Sequence, residues 1–137
     1  MPVILTAQDQ CSQRGGRAVV GRDGRLSGPK LAGALAAGIR ASGIGVIDIG
    51  MVTTPMAYFA AYHLGSGSCV AVTGSHNPPD YNGLKMVIAG TTLFAATIQE
   101  LRARIEARRF AAGSGALRTA DVRAAYLDRI VGDVKRA

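Results

Sequence analysis

The fold class of this chain follows from one stretch, Arg17-Ala-Val-Val-Gly-Arg-Asp-Gly-Arg-Leu-Ser-Gly-Pro29, in which an apolar run, a glycine-containing loop and a helix start follow each other. The apolar run predicts a short buried strand. Ser27 is a typical helix N-cap, and Pro29 is tolerated in a first turn, where its missing N–H needs no partner. A helix over residues 28–42 is predicted because apolar residues then recur every four positions, at Leu31, Leu35 and Ile39.

The rest of the chain continues this alternation. Three further apolar runs predict strands, at residues 46–49, 69–72 and 84–88. Helices are predicted at residues 55–62, 95–109 and 120–134, and the segment 111–116 is interpreted as a linker. No helix separates the third and fourth strands, so the fourth is expected to run antiparallel. The prediction is a layered α/β/α domain with a mostly parallel, mixed four-stranded sheet and flanking helices.

Composition excludes several classes of protein. The 137 residues are 48% hydrophobic and 18% charged, which suits one globular domain and argues against disorder. The long uncharged stretch 49–79 is broken by proline and glycine, so no membrane span and no membrane partner are expected. Two cysteines, Cys11 and Cys69, do not suffice for a disulfide framework or for a zinc site of the usual four-ligand kind, and we expect reduced thiols in a cytoplasmic protein.

The charge balance is strongly basic. The net charge is +7, and thirteen of the sixteen basic residues are arginine. Residues 101–137 carry nine basic and four acidic side chains, which is typical of a solvated helix face. A nucleic-acid partner is not expected, because no basic stripe interleaves with aromatic residues and no nucleic-acid-binding motif is present. The arginine surplus is compatible with a phosphate-bearing ligand.

The most unusual stretch is the loop Thr73-Gly-Ser-His-Asn-Pro-Pro-Asp-Tyr-Asn-Gly-Leu-Lys85. It leaves a predicted buried strand, and ligands of open α/β sheets bind beyond the carboxyl ends of strands. Gly74 is expected to let the backbone bend, two prolines restrict the loop, and Asn82-Gly83 closes it. A rigid frame would thus present a hydroxyl, an imidazole and an ammonium group.

This loop resembles the phosphoserine loop of the α-D-phosphohexomutases, in particular the bacterial phosphomannomutase/phosphoglucomutase branch. Two flanking stretches, 20–28 and 48–55, resemble further motifs of that family in the expected order. The resemblance implies reversible phosphate transfer between C1 and C6 of a hexose phosphate through a hexose 1,6-bisphosphate. It assigns the phosphoryl carrier to Ser75, a position beside the transferring phosphate to His76, and proton transfer to Lys85. It also implies a magnesium ion bound through phosphorylated Ser75, with its other ligands outside this chain.

Each assignment has a structural alternative. Ser75 could be a turn residue, His76 a loop-bracing group and Lys85 a solvated strand residue. Arg22 and Arg25 are candidates for the substrate-phosphate environment, or members of an internal ion-pair brace that includes Asp23. Asn77 is a third candidate for the phosphate environment, although its amide is also suited to shaping the turn.

The chain also departs from the family pattern. The family has four domains, and we expect residues 17–137 to form only the first, after an irregular segment at residues 1–16. The Asp-Gly-Asp-Gly-Asp loop of the second domain is not found, and Gly90-Thr-Thr-Leu93 replaces the usual Gly-Glu-Thr-Leu. The isolated chain is therefore expected to lack activity without the remaining domains, and an exposed interdomain face favours self-association. The alternative is a non-catalytic sugar-phosphate-binding module derived from this domain.

Overall fold

The computed structural model describes residues 16–134, within which six strands and four helices form a layered domain. The strands are β1 (Arg17–Arg22), β2 (Gly45–Met51), β3 (Cys69–Val72), β4 (Leu84–Ile88), β5 (Thr91–Thr92) and β6 (Leu117–Thr119). The helices are α1 (Gly28–Ala41), α2 (Thr54–His63), α3 (Ala96–Glu106) and α4 (Arg123–Asp133). The predicted irregular segment 1–16 and Cys11 lie outside the described residues, apart from Gly16.

The sheet has the order β5-β4-β3-β1-β2-β6. The central strand β1 pairs in parallel with both β2 and β3, and β6 pairs in parallel with β2. The fourth strand is antiparallel to β3, as its direct connection predicts. The mixed α/β class is therefore confirmed, but the strand count of four is wrong. The two missed strands have only two and three residues, all of them exposed, and so lack any apolar pattern.

The main buried cluster lies between the sheet and α2. It joins Val19, Ile47 and Cys69 of three adjacent strands to alanines of α2: Ala57, Ala60 and Ala61. Since side chains alternate along a strand, Val20 and Val46 face the other side of the sheet, where α1 packs mainly over β1 and β2. The burial of Cys69 raises the pKa of its thiol to about 11, so it remains protonated and behaves as a small apolar residue.

The buried face of β4 differs from the prediction. The alternation of residues 84–88 predicts that Leu84, Met86 and Ile88 face the core and Lys85 and Val87 the other side, but Val87 is the buried residue of this strand and Leu84 is 46% exposed. Val87 belongs to the cluster that α2 covers, whereas the opposite face of β4 lies beyond the strands over which α1 mainly packs. Lys85, two residues before Val87, therefore lies on the α2 side of the sheet, at its exposed end.

The glycine-rich segment 111–116 caps a helix and is not a simple linker. The N–H groups of Gly113 and Gly115 donate to the last carbonyls of α1, those of Ala41 and Arg40, both at 2.8 Å. The Arg40 Nε returns a hydrogen bond to the Gly115 carbonyl at 2.9 Å. These bonds satisfy carbonyls that a helix end leaves without an intrahelical partner. The segment thereby delivers the chain to β6, at the far edge of the sheet.

Two of the four helices lie loosely on the molecule. Neither α3 nor α4 contains a buried residue, although the sequence predicts an apolar stripe on each, at Ile98, Leu101 and Ile105 and at Val122, Tyr126, Ile130 and Val134. Several of these side chains are open to solvent, as at Ile105 (52% exposed) and Val134 (60%), but Val122, just before α4, is buried in the core cluster. Helix α4 also starts three residues later than predicted, because the Asp121 carboxylate accepts the Arg123 N–H. None of the helices within residues 16–134 is both long and apolar enough to cross a membrane.

Candidate active site on the loop after strand β3

Two loops leave the same edge of the sheet side by side. Strands β1 and β3 are parallel neighbours in which Arg22 lies opposite Val72, so the chain after each strand emerges at the same place. The Asp23 N–H donates to the Val72 carbonyl at 3.0 Å, which extends the pairing by one residue. The loop after β1 thus lies directly beside the loop 73–83, as expected for a ligand site at the carboxyl edge of an α/β sheet.

The loop 73–83 is closed at its base. The Thr73 N–H donates to the Gly83 carbonyl at 2.9 Å, so the two ends of the loop meet. The Asn82 side-chain amide donates to the Ser27 hydroxyl at 2.9 Å. Ser27 is the N-cap residue of α1, as predicted, but its side chain makes no capping hydrogen bond. The hydroxyl instead ties the loop to the start of α1.

The side chain of Arg25 occupies the middle of this loop. Its Nε donates to the Asp23 carboxylate at 3.3 Å. Its four remaining N–H groups donate to backbone carbonyls of the loop: Asn77 (2.7 Å), Tyr81 (2.9 Å), Ser75 (3.1 Å) and Pro78. A guanidinium group has five N–H donors, and all five of those of Arg25 are used inside the protein. Arg25 thus forms an internal brace with Asp23 and the loop carbonyls.

Asp23 connects the two loops electrostatically. Its carboxylate accepts the N–H groups of Arg25 at 3.1 Å and Gly74 at 3.2 Å. Desolvation raises the pKa of Asp23, but the bonds from Arg25, Thr73 and Gly74, together with the Arg25 charge, outweigh it and lower the pKa below 3.8. The Asp23–Arg25 pair is largely shielded, with side-chain exposures of 27% and 15%. Asp23 therefore remains an anion and balances the positive charge of the Arg25 guanidinium within the loop.

Ser75 adopts the left-handed backbone conformation, with φ of +52°. This region costs a non-glycine residue about 1–2 kcal/mol, so surrounding contacts must hold it. The Ser75 N–H donates to the Thr73 hydroxyl at 3.0 Å, while its carbonyl is held by Arg25. The sharp bend expected at Gly74 thus falls one residue later. Gly74 has another role, since a Cβ there would lie well inside contact distance of the Arg25 guanidinium.

The other candidate residues surround this frame. Asn77 shapes the turn, because its backbone and side-chain N–H groups both donate to the Gly74 carbonyl, at 3.0 and 2.9 Å. His76 is exposed, and Lys85 follows the loop on β4, opposite Ala71 of β3. Arg22 ends β1 with its side chain beside Gly28 at the start of α1. The structure thus brings Ser75, Asn77 and Arg25 into direct contact, while the other three lie at the borders of the loop.

Sequence reasoning did not identify the roles of Thr73 and Ser27 in supporting the loop. The Thr73 hydroxyl accepts the Ser75 N–H within the loop, and the Ser27 hydroxyl accepts the side-chain amide of Asn82, 55 positions away, a partner that no local pattern marks. The spacing Asp23-Gly24-Arg25 is the sequence signal for the brace, because an acid and an arginine two residues apart can form a charge-assisted hydrogen bond with each other.

The described residues do not form a magnesium site by themselves. No group of three or more histidine, cysteine, aspartate or glutamate side chains suited to a metal occurs in residues 16–134. Asp23, the acid that bonds to the loop at Gly74, is already engaged by Arg25 and Gly74. Two surface cavities, of about 340 and 450 Å³, lie beside β6, and neither is lined by a residue of the loop 73–83. Ser75 itself is exposed to solvent.

Comparison with known proteins identifies the family. A family model described as phosphoglucomutase/phosphomannomutase, alpha/beta/alpha domain I, matches residues 3–112. The chain is 53% identical over 121 residues to a phosphoglucomutase of Neisseria gonorrhoeae, an alignment that covers 87% of this chain and 26% of the relative. It is 50% identical over 118 residues to a phosphomannomutase/phosphoglucomutase of Pseudomonas aeruginosa, covering 86% of this chain and 26% of that relative.

A solved structure agrees with these sequence relatives. A phosphoglucomutase/phosphomannomutase family protein from Burkholderia thailandensis superposes with a TM-score of 0.84 and 51% identity, covering 94% of this chain and 30% of that one. The chain spans about a quarter of the length of the curated relatives it matches. The loop frame and these matches lead to the same conclusion: this chain belongs to the phosphoglucomutase/phosphomannomutase family and corresponds to its α/β/α domain I.

Proposed function

We propose that this chain is the phosphoryl-carrying domain of a hexose-phosphate mutase, with Ser75 as the carrier. The observation that carries the proposal is the frame around Ser75, which holds its backbone on both sides while the residue remains exposed. Phosphoryl transfer depends mainly on positioning and charge neutralisation, and a fixed, accessible hydroxyl meets the first requirement. The names of the relatives, phosphoglucomutase and phosphomannomutase, support hexose 1- and 6-phosphates as the substrates.

The proposed reaction has two transfers. In the first, the bond between the Ser75 Oγ and phosphorus breaks as a free sugar hydroxyl bonds to that phosphorus, and the hydroxyl proton passes to a base. The Ser75 Oγ that is released takes up a proton and becomes a hydroxyl, and the product is a hexose 1,6-bisphosphate. After this intermediate turns around, the Ser75 Oγ bonds to its other phosphorus and gives up its proton, while the bond from that phosphorus to the sugar oxygen breaks and the sugar oxygen takes up a proton. Phosphate, charge and protons balance over the cycle.

The remaining candidates have roles around that phosphate. Lys85 is proposed as the group that exchanges the proton, and His76 as a hydrogen-bond donor to the transferring phosphate. Arg22 and Asn77 are proposed to border the substrate phosphate. Magnesium would neutralise charge on phosphorylated Ser75, with its other ligands supplied from outside the described residues, because these do not contain a set of acids suited to it.

The rest of the enzyme is proposed to come from further domains. This chain accounts for about a quarter of its curated relatives, so sugar recognition and the second phosphate site are assigned to the remaining part. On this proposal the isolated chain has no mutase activity and the complete enzyme is cytoplasmic. The basic C-terminal region does not favour a nucleic-acid partner, since three of its arginines are paired with acids: Arg102, Arg123 and Arg129.

The test is Ser75→Ala in the complete polypeptide that carries this domain. We expect kcat for conversion of glucose 1-phosphate or mannose 1-phosphate to fall by several orders of magnitude, as when a covalent nucleophile is removed. Intact-mass analysis should find one phosphate on the parent protein and none on the variant. Ser114→Ala, an exposed serine outside the loop, is the matched control. Near-normal turnover without Ser75 would exclude it as the carrier. Sugar-phosphate binding without turnover in the parent would favour the binding-module alternative.

A further inference from the structure

The Arg25 guanidinium has no N–H left for a phosphate. Each of its five donors is directed to an acceptor within the protein, one to Asp23 and four to loop carbonyls. A phosphate-binding arginine must instead direct at least one edge of its planar group toward the ligand. Arg25 could bind a phosphate only by releasing the loop that carries Ser75.

The neighbouring residues are shaped to keep the guanidinium in place. The Asp23 carboxylate balances its charge and also binds the Gly74 N–H, at 3.2 Å. Gly74 leaves the space that the guanidinium fills, because any side chain at this position would collide with it. Acid, arginine and glycine therefore form one unit, which we call the clamp (Asp23, Arg25 and Gly74).

The clamp acts on the backbone of Ser75. One terminal nitrogen of Arg25 binds the Ser75 carbonyl at 3.1 Å and the Asn77 carbonyl at 2.7 Å, so it holds the carbonyl end of the residue with the left-handed φ. Without these bonds, Ser75 would relax toward a more favourable backbone region, and its Oγ would point elsewhere. The loop base, closed by the bond between Thr73 and Gly83, would remain.

We propose that Arg25, supported by Asp23, is a positioning residue for phosphoryl transfer: it fixes the direction of the Ser75 Oγ and makes no contact with the substrate. This inference rests on the proposed function of Ser75 and adds to it, because it removes Arg25 from the residues that border the phosphate. A displacement of about 1 Å in a reacting group can lower a rate about 10²-fold. The clamp therefore affects kcat more than substrate affinity.

The test uses Arg25→Lys in the complete polypeptide, with Arg129→Lys on the exposed face of α4 as the matched control. Lysine retains the charge but cannot span several carbonyls with one planar group. We expect kcat to fall about 10²-fold while KM changes less than about threefold, the result of losing an interaction that acts only on the chemical step. The control should leave both unchanged. A rise in KM of tenfold or more at unchanged kcat would overturn the proposal and assign Arg25 to the phosphate.

Chemical rescue separates positioning from general loss of folding. In Arg25→Ala, the cavity left by the side chain can accept free guanidinium ion, and we expect low millimolar guanidinium to restore part of kcat, while urea at the same concentration does not. If Arg25→Ala fails to fold, Asp23→Asn provides the same readout, with a smaller fall in kcat at constant KM. Unchanged kcat in folded Arg25→Lys, or lost activity in Arg25→Ala that guanidinium cannot restore, would overturn the proposal.

These outcomes remain distinct from failure of the proposed function itself. If Ser75→Ala retains turnover, the carrier is wrong whatever Arg25 does. If Ser75→Ala abolishes turnover and Arg25→Lys changes only KM, the carrier stands and the clamp is wrong. If Arg25 acts by positioning Ser75, guanidinium should not restore kcat in Ser75→Ala, because the hydroxyl that the clamp directs is missing in that variant.

Discussion

At the scale of single residues, the loop depends on a charge pair in which each partner has a separate task. Asp23 holds the start of the loop through the Gly74 N–H, and Arg25 holds its interior through four carbonyls. Hydrogen bonds to charged groups are stronger than neutral ones, and partial burial limits competition from water. Arginine suits this position because one planar group can bind several acceptors that lie in different directions.

The pair predicts a pH-dependent contribution to stability. The folded state lowers the pKa of Asp23 below 3.8, so its stabilising effect is present above that pH and is lost as the pH falls toward the folded value. We expect Asp23→Asn to lower the free energy of unfolding most at neutral pH, and the difference from the parent to shrink below about pH 4. Urea unfolding of this chain between pH 3 and 7 measures it. Asp128→Asn, on the exposed face of α4, is the control, and a difference independent of pH would contradict the prediction.

Lys85 gives a second prediction at this scale. It is exposed at the start of β4, so Lys85→Met should change the free energy of unfolding by less than about 0.5 kcal/mol. If Lys85 exchanges the substrate proton, kcat of the complete enzyme should fall about 10²–10⁴-fold. Lys30→Met, in the exposed first turn of α1, should leave kcat unchanged. Lost thermal stability with normal kcat would assign Lys85 a structural role.

At the scale of elements, sequence patterns predicted the four helices and the strands that contain buried apolar residues, and missed the two short strands whose residues are all exposed. The unit β1–α1–β2 was predicted because Val19 and Val20 form a buried run and Pro29 marks a helix start. Strand β6 was missed because its three residues are all exposed and its place depends on backbone bonds to β2. The loop after β3 was recognised from its motif. The hydrogen bonds from Arg25 to that loop could not be predicted, because they join residues about fifty positions apart in the sequence.

Two glycines predict opposite results for the same substitution. A Cβ on Gly115 would collide with the backbone of Ile44, which cannot move aside without breaking β2. We expect Gly115→Ala to lower the free energy of unfolding by about 2–3 kcal/mol or more. Gly33 lies within α1 with open space around it, so Gly33→Ala should raise the free energy of unfolding by about 0.5–1 kcal/mol. Chemical denaturation of this chain measures both.

The pair of variants is informative in either direction. A stable Gly115→Ala protein would mean that the segment 111–116 does not pack on the end of α1. Destabilisation by Gly33→Ala would mean that another part of the molecule covers that face of the helix.

At the scale of the whole molecule, the chain is a folded domain whose candidate site lies on an open surface. Ser75 borders neither of the two cavities beside β6, and residues 16–134 contain no acid cluster suited to a metal. We therefore expect the 137-residue chain to give a cooperative thermal transition but no conversion of glucose 1-phosphate to the 6-phosphate. The measurement is a coupled assay with magnesium and hexose bisphosphate, and turnover comparable to a full-length mutase would contradict the expectation.

The apolar side chains on α3 and α4 have a related consequence. Exposed apolar patches promote association, and these two helices expose several large side chains: Ile98, Ile105, Leu127, Ile130, Val131 and Val134. Self-association of the isolated chain therefore remains the expectation at high concentration.

The position of β6 affects the order in which the chain folds. Strand β2 pairs with β1 early in the sequence, but its second partner lies about seventy residues later, since Val46 pairs with Leu117. Closing so long a segment costs chain entropy that is regained only after both strands are fixed, and such late contacts slow folding. During synthesis, the five strands from β1 to β5 can assemble while β6 is still inside the ribosome. The edge of β2 is then temporarily unpaired, so the nascent domain passes through an interval in which a chaperone or another nascent chain can pair with it.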